Sequence, residues 1–388
     1  MSNSPAWSRL LILSQGRLES IAPDGTSKPL ESAFARELIE RQERTNQNNA
    51  WKYEDRESSG PFSRSNIWGG TGKASPIQPA WFLSVFPGFQ SGEFFYTLRV
   101  SIVMALLRID AHDHRERRIL HRQDFHEGGI ACDPTERRMA MSVHSADGSA
   151  HLVQCDHEAT IRKELTGGDS IDANPSFSRQ IPSRVLYQST GIARGENGHI
   201  LAHGPTSIQA VDLKTRDHEV LVESPRFDYL LPLQTSDGTL WAIRRPWKAV
   251  RPPSALSMLL DVILIPWRIA KGIFGFLDAF TQMFGKERLR RAGAGDPEAP
   301  VQEMRALFLG QSVAPDRKSD QKAIRPPEDW VLVKIRPGCT EEEVARRVGW
   351  INLWEDRIVW SDGQSVRTLE GEELHRIRKG WIEKFCLT

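Results

Sequence analysis

The sequence predicts an all-β fold, because one strand pattern recurs through its central part. Three times between residues 105 and 245, an apolar strand ending in Asp is followed by a polar turn and a second strand that closes on Leu. The three copies end at Asp110, Asp156 and Asp212, and the leucines that follow them are Leu120, Leu165 and Leu221. A repeat of about 45–55 residues that carries about four strands is typical of one blade of a β-propeller. We therefore predict a single domain over 1–388 with about six or seven four-stranded blades.

Strands are also expected near both ends of the chain. Asp24-Gly25 and Asp362-Gly363 each lie between apolar runs, which is typical of a tight hairpin turn. Pairing of the first and last segments would close the ring and remove its exposed sheet edges.

Three helical segments are predicted beside the strands. The range 32–51 follows the first hairpin, with Ser32 as a candidate N-cap and a narrow apolar stripe. Thr340 and Glu343 have the spacing of a capping box, which predicts a short helix ending at Val348. The range 370–388 has apolar residues at helical spacing and is predicted to be an amphipathic C-terminal helix.

The clearest copy of the repeat contains Leu165-Thr166 and Asn174-Pro175-Ser176-Phe177-Ser178. In this order the residues resemble the TolB-like propeller repeat, in which an Asp-rich turn, Leu-Thr and Asn-Pro-Ser-aromatic-Ser precede Pro-Asp-Gly. Here Arg179-Gln180-Ile181-Pro182 stands in place of Pro-Asp-Gly. The resemblance is clearest over 105–245 and implies a propeller of the TolB-like or WD40-like kind. It implies little about activity, since propellers host many functions.

Composition narrows the possible partners and the compartment. Lys and Arg number 51 and Asp and Glu number 50, so the net charge of +1 provides no overall field that would attract nucleic acid. Cys132, Cys155, Cys339 and Cys386 are scattered without metal-ligand spacing, which favours reduced thiols in an intracellular protein. The apolar run 10–13 is far shorter than a signal-peptide core. We therefore expect a cytoplasmic protein that does not bind nucleic acid.

The range 248–300 interrupts the repeat and contains the most hydrophobic stretch of the chain, 255–284. Asp261, Arg268, Lys271 and Asp278 fall within roughly 100° of one another on a helical wheel and leave a broad apolar face. Each charge would cost about 2.5–3.5 kcal/mol at the centre of a bilayer, which argues against a transmembrane helix. We therefore predict an amphipathic helical insertion.

This insertion provides the candidate interaction residues. They comprise apolar side chains for burial and basic side chains for an anionic surface: Leu260, Ile263, Trp267, Arg268, Lys271, Phe274, Phe276, Phe280, Arg288, Arg290 and Arg291. Such a helix can contact a partner protein, lie on the anionic inner face of a membrane, or pack on the propeller itself. All three alternatives stay open at this stage.

Two sequence features point to ligands but also have structural explanations. His112, His114, His121 and His126 form a dense His and carboxylate segment that could bind a transition metal, yet the other copies of the repeat place equally polar turns there. The range 69–74 resembles a phosphate-binding loop but lacks its first Gly and its hydroxyl residue. A solvated loop is the favoured interpretation in both cases, so no metal and no cofactor is expected.

The sequence contains no local catalytic motif. It has no G-x-S-x-G elbow, no H-E-x-x-H and no dinucleotide fingerprint. Asp110, Asp156 and Asp212 could form a ring of acids around a propeller channel, although Asp more often caps the turn after a strand. We therefore predict a non-catalytic scaffold that mediates protein–protein interaction. The alternative is a hydrolase or lyase with its site in the channel, assisted by a metal at the histidines.

Overall fold

The computed structural model describes residues 8–48, 79–110, 115–122, 128–248, 306–309, 311–313 and 324–388. Within these ranges the chain consists mainly of antiparallel strands and contains one helix. The first blade begins with three strands: β1 (Leu10–Ser14), β2 (Arg17–Ile21) and β3 (Ser27–Pro29). Helix α1 (Ala33–Asn48) follows, and the Ala35 N–H donates to the Ser32 Oγ at 3.2 Å, which caps its first turn.

The next three blades follow one another without a break in the strand pattern. The second contains β4 (Ala80–Pro87), β5 (Phe94–Val100), β6 (Val103–Ile109) and β7 (Glu116–Arg122). The third contains β8 (Ile130–Asp133), β9 (Arg138–His144), β10 (Ala150–Asp156) and β11 (Ile161–Glu164). The fourth contains β12 (Ser170–Phe177), β13 (Arg184–Arg194), β14 (Ile200–Asp212) and β15 (His218–Val222). One parallel pair, Ala150 with Ile171, joins the third and fourth blades into a single sheet.

The fifth blade is interrupted along the chain. It contains β16 (Phe227–Gln234), β17 (Leu240–Pro246), β20 (Val331–Ile335) and β21 (Glu342–Arg346). Between β17 and β20 the chain also contains a separate ribbon of β18 (Ala306–Phe308) and β19 (Gln311–Val313). The range 248–300 therefore enters between the second and third strands of this blade. All of it except Lys248 lies outside the described residues.

The last blade and the closing strand complete the fold. The sixth blade contains β22 (Trp350–Trp354), β23 (Arg357–Ser361), β24 (Ser365–Thr368) and β25 (Glu373–Arg376), and the final strand is β26 (Lys384–Leu387). Strand β26 pairs with β1 and so becomes the fourth strand of the first blade. The described residues thus form six four-stranded antiparallel units closed by the two chain ends, which is a β-propeller, as predicted.

The closure buries both faces of β1. Leu10 and Ile12 belong to a hydrophobic cluster with the sixth blade, whereas Leu11 and Leu13 belong to a cluster with the second blade. All four side chains are at most 2% exposed. This two-sided burial explains why β1 is a continuous apolar run and does not alternate with polar residues.

The predicted C-terminal helix at 370–388 is wrong, because the segment forms β25 and β26. Strand β25 pairs with β24, and Gly380 has a φ of 81°, a conformation that a helix cannot contain. Ile382 and Phe385 are fully buried against other blades. The helical spacing of the apolar residues was coincidental, since tertiary packing decides the conformation here.

The short helix predicted between Thr340 and Val348 is also wrong. Strand β21 occupies this range and pairs with β20 at the outer edge of the fifth blade. The capping-box spacing is a local signal, and the backbone hydrogen bonds offered by β20 outweigh it.

We predict that the Phe385→Ala substitution lowers the free energy of unfolding by about 3–5 kcal/mol, because it leaves a cavity at the seam that closes the ring. Phe385 is fully buried between β1 and the sixth blade. Urea denaturation followed by circular dichroism provides the measurement. Ile102→Ala is the control, since Ile102 is 65% exposed, and it should change stability by less than about 0.5 kcal/mol. Equal effects of the two substitutions would contradict the role of the seam.

Candidate functional site

The first strands of five blades line a central cavity of about 350 Å³. They are β4, β8, β12, β16 and β22, each the first strand of its blade along the chain. Because each strand comes from a different blade, the wall is assembled from single residues far apart in sequence. No local motif could therefore have revealed this cavity.

Two β-bulges shape the wall of the cavity. Asn174 in β12 and Leu231 in β16 have φ angles of 48° and 53°, and each is followed by a proline, Pro175 or Pro232. In both strands the pairing register shifts at this point. A proline has no N–H to donate, so these positions suit a bulge on the inner edge of a sheet. The Asn-Pro-Ser motif of the sequence is thus a structural feature of the cavity wall, and Leu231-Pro232 repeats it.

Hydrogen bonds across blades hold these bulges in place. The Asn174 N–H donates to the Gly128 carbonyl at 2.7 Å, and the Ser176 hydroxyl donates to the Pro232 carbonyl at 2.6 Å. Gly129 has a φ of 103°, and a Cβ atom there would lie 2.8 Å from the Asn174 Cα. Only glycine fits at this approach of the third blade to the fourth.

The lining of the cavity is mainly apolar. Large apolar side chains come from all five strands: Val85, Phe86, Ile130, Phe177, Leu231, Leu233, Trp350 and Leu353. Uncharged polar groups are supplied by Asn174, Ser176, Ser178 and Asn352. Among the described lining residues, the titratable ones are Cys132, Asp133 and Arg179.

None of these three residues is arranged for catalysis. The carboxylate of Asp133 accepts hydrogen bonds from the Thr135 N–H at 3.0 Å and the Arg138 Nε at 2.9 Å, which caps the β8–β9 turn. Arg179 points to solvent. Burial raises the pKa of the Cys132 thiol well above its usual value, so the neutral thiol and not the thiolate is present. Nucleophilic catalysis requires a base beside the nucleophile, and the described lining does not place one there.

The structure places the predicted metal candidates as follows. His121 lies on β7 at the outer edge of the second blade, where it is exposed and 6.3 Å from the Phe34 ring. His112, His114 and His126 lie outside the described residues. Among the described residues, no three His, Cys, Asp or Glu side chains are grouped so that they could hold a metal ion.

The predicted interaction residues, from Leu260 to Arg291, all lie outside the described residues. In the described part of the chain, no helix combines the length and the hydrophobicity needed to cross a membrane.

Two of the three repeated aspartates cap turns, as the structural interpretation predicted. The Asp156 carboxylate accepts from the Glu158 and Thr160 N–H groups at 3.0 and 2.9 Å. The Asp212 carboxylate accepts from the Lys214 N–H at 2.8 Å and the Ser183 hydroxyl at 2.8 Å. The Ser183 and backbone hydrogen bonds lower the pKa of Asp212 and keep it ionised. Neither aspartate lines the central cavity.

No family model matches the sequence, and no curated protein matches it. Similar solved structures include TolB from Acinetobacter baumannii, with a TM-score of 0.46 and 9% identity over 100% of this chain and 68% of that chain. The chain is a β-propeller similar to TolB. A chain of the nidogen/laminin complex gives a TM-score of 0.49 and 9% identity over 98% of this chain and 97% of that chain.

The tricorn protease gives a TM-score of 0.44 and 10% identity over 98% of this chain. This chain covers 34% of the length of the protease chain. Propellers host many functions, so the fold by itself selects none of them. The propeller fold itself is established by the strand pairing described above.

We predict that Cys132 reacts much more slowly than the exposed Cys339 with a thiol reagent at pH 8, because its thiol stays protonated. Labelling with a chromogenic disulfide, followed by peptide mass spectrometry, measures the two rates. The Cys339→Ser variant should lack the fast phase. Fast labelling of Cys132 would show a thiolate in the cavity and would favour nucleophilic chemistry there.

Proposed function

We propose that this chain is a non-catalytic binding propeller that takes an extended apolar segment of a protein partner into its central cavity. The observation that carries the proposal is the lining of that cavity, in which large apolar side chains surround a few neutral polar groups. Its volume of about 350 Å³ is within the range of about 300–1,000 Å³ that is usual for ligand pockets. Apolar walls bind by excluding water, and a few polar groups fix the orientation of the ligand.

Asn174 is the polar group best placed for this role. It lies on the bulge of β12 in the cavity wall, and its carboxamide has no hydrogen-bond partner among the described residues. A free carboxamide offers both a donor and an acceptor, which matches the N–H and C=O of a peptide unit. The half-buried ring of Phe177 provides aromatic surface of the kind that is enriched at protein interfaces.

Peptides selected from a random display library on the immobilised full chain test the proposal. The Leu233→Arg substitution should weaken the binding of such peptides by at least about tenfold, because it puts an unpaired charge into the apolar wall. Fluorescence anisotropy with a labelled peptide gives the dissociation constants. The matched control is Leu201→Arg, since Leu201 is 70% exposed on β14 and does not line the cavity. Undiminished binding to the Leu233→Arg variant would refute the cavity as the site.

The rival function is a hydrolase or lyase with its site in the channel. Mass spectrometry of the selected peptides after incubation with the full chain separates the two functions, since a binding protein returns them intact. Cleavage by the wild type but not by the Leu233→Arg variant would favour the enzyme. A stoichiometric metal that is lost on replacing His112 and His114 would extend the rival function to a metal-assisted one.

In this proposal the amphipathic insertion at 248–300 makes a second contact. The proposal also places the protein in the cytoplasm. The support for the second contact is the sequence pattern, in which charges cluster on one arc and the basic residues Arg288, Arg290 and Arg291 follow. The contact is made either to the protein partner or to anionic lipid on the inner face of a membrane.

We predict that deleting 250–300 leaves the propeller folded and abolishes co-sedimentation with vesicles containing phosphatidylglycerol. Vesicles of phosphatidylcholine alone are the control, because a basic helix needs anionic lipid. A full chain that stays in the supernatant with both vesicle types would assign the insertion to a protein partner. Unfolding of the deletion variant would show that the insertion packs on the propeller and would refute both external contacts.

A further inference from the structure

A second cavity, of about 510 Å³, lies between the third and fourth blades and shares no lining residue with the central cavity. One wall is the connection from Leu165 to Ser170. The other wall is the face of β12, β13, β14 and β15 that is turned toward the third blade, where Tyr187 packs in one cluster with Leu152 and Leu165. The inference drawn from this cleft is therefore independent of the proposed function.

The cleft is lined by hydroxyl and amide groups that are linked to one another. The Tyr187 hydroxyl donates to the Gln209 Oε1 at 3.0 Å and lies 3.3 Å from the His218 Nδ1. The Gln209 Nε2 donates to the Ser207 Oγ at 3.3 Å. These groups present oxygen atoms to the cleft, which suits a ligand rich in N–H donors.

Two carboxylates line the cleft, those of Asp169 and Asp172. Asp169 pairs with the Arg194 Nε at 2.6 Å, whereas Asp172 has no counter-ion among the described residues. Asp172 is 2% exposed, and its Oδ1 accepts a hydrogen bond from the Ser189 hydroxyl at 2.6 Å. Within the described residues, no Lys, Arg or His lies in ion-pair distance of its carboxylate, and its second oxygen has no hydrogen-bond partner. The pKa of Tyr187 is raised, mainly by burial and secondly by the negative charge of Asp172. The charge of Asp172 is therefore felt by the neighbouring groups of the cleft. A buried carboxylate that has one hydrogen bond but no counter-ion can be stabilised further by a ligand cation.

The fifth blade shows which residues take the corresponding positions. Aligning the two blades on their bulges matches Asp172 with Tyr229 and Ser189 with Arg244, which are cross-strand partners in their own sheets. In the fifth blade the Arg244 guanidinium forms ion pairs with Glu341 and Glu343 and lies 4.7 Å from the centre of the Phe227 ring. In the fourth blade the residue at the position of Arg244 is a serine, which lines the cleft. The fourth blade therefore has the Asp172 carboxylate where the fifth has Tyr229, and it lacks the guanidinium.

We propose that this cleft binds the guanidinium or primary ammonium group of a ligand, with Asp172 as its counter-ion. Neutral oxygens of Ser207 and Thr166 accept the remaining N–H groups. The arrangement does not suit Mg²⁺ or Ca²⁺, which require about six or more oxygen ligands and usually several carboxylates. The cation comes either from a free small amine or from a basic side chain of a partner protein, and both present the same chemistry to Asp172.

Isothermal titration of the full chain at low salt tests the proposal with two probes, agmatine and a terminally blocked Gly-Arg-Gly peptide. The Asp172→Asn substitution should weaken binding of the preferred probe by at least about tenfold, because it removes the charge and keeps the shape. The control is Asp212→Asn in the same blade, which should leave the affinity unchanged since Asp212 caps a turn outside the cleft.

A second variant supplies the missing cation within the chain. Ser189→Arg places a guanidinium where the fifth blade has Arg244, so it should abolish probe binding while raising the thermal midpoint. Asp172→Asn should not lower the thermal midpoint, since it relieves an unpaired buried charge. A purely structural Asp172 would give the opposite result, a loss of stability with no effect on any ligand.

The relative affinity of the two probes identifies the source of the cation. Tighter binding of the blocked peptide identifies a partner's side chain as the source of the cation, and tighter binding of agmatine identifies a free amine. The proposal is overturned if neither probe binds at millimolar concentration, if Asp172→Asn leaves the affinity unchanged, or if Ca²⁺ or Mg²⁺ binds in place of the probes.

Discussion

The pairing of β1 with β26 is the constraint on which the rest of the structure depends. The register joins Leu10 to Leu387 and Leu13 to Lys384, and the Ser8 N–H donates to the Thr388 carbonyl at 2.7 Å beyond it. Without this pairing, the first blade would have three strands and two exposed edges. An open edge of this kind invites pairing with other chains, so the closure protects the fold as well as completing it.

Closure of the ring also fixes the position of the inner strands. Because the blades are held in a fixed order, the first strands of five of them converge on one cavity. Two of these strands carry bulges, at Asn174 and Leu231, which shift the pairing register and interrupt the ladder hydrogen bonds. The wall of the central cavity therefore consists of side chains and of prolines, which have no N–H to pair with a further strand. Such a wall favours the burial of an apolar ligand over the addition of a strand.

The repeat could be predicted from the sequence because each copy carries its own local signal. Asp156 and Asp212 cap turns directly after their strands, and this chemistry depends only on neighbouring residues. Closure of the ring by the two chain ends could also be predicted, but the strand that completes it could not be located. The segment 370–388 has the apolar spacing of a helix, yet its conformation is set by pairing with β24 and β1. A partner more than 350 residues away in sequence, as in the pairing of Leu10 with Leu387, leaves no local trace.

The candidate sites were beyond sequence reasoning for the same reason, and the fourth and fifth blades show why. The fourth and fifth blades share the bulge, the proline and the cross-strand geometry. What differs is the cross-strand pair beside the bulge, which is Asp172 with Ser189 in the fourth blade and Tyr229 with Arg244 in the fifth. In the fifth blade the arginine forms internal ion pairs with Glu341 and Glu343, so its charge is compensated within the chain. In the fourth blade the Asp172 carboxylate is buried, accepts a hydrogen bond from the Ser189 hydroxyl and has no counter-ion among the described residues. Selection for stability alone would not retain such a group, which is why an uncompensated buried charge is a stronger sign of a ligand than the size of a cavity.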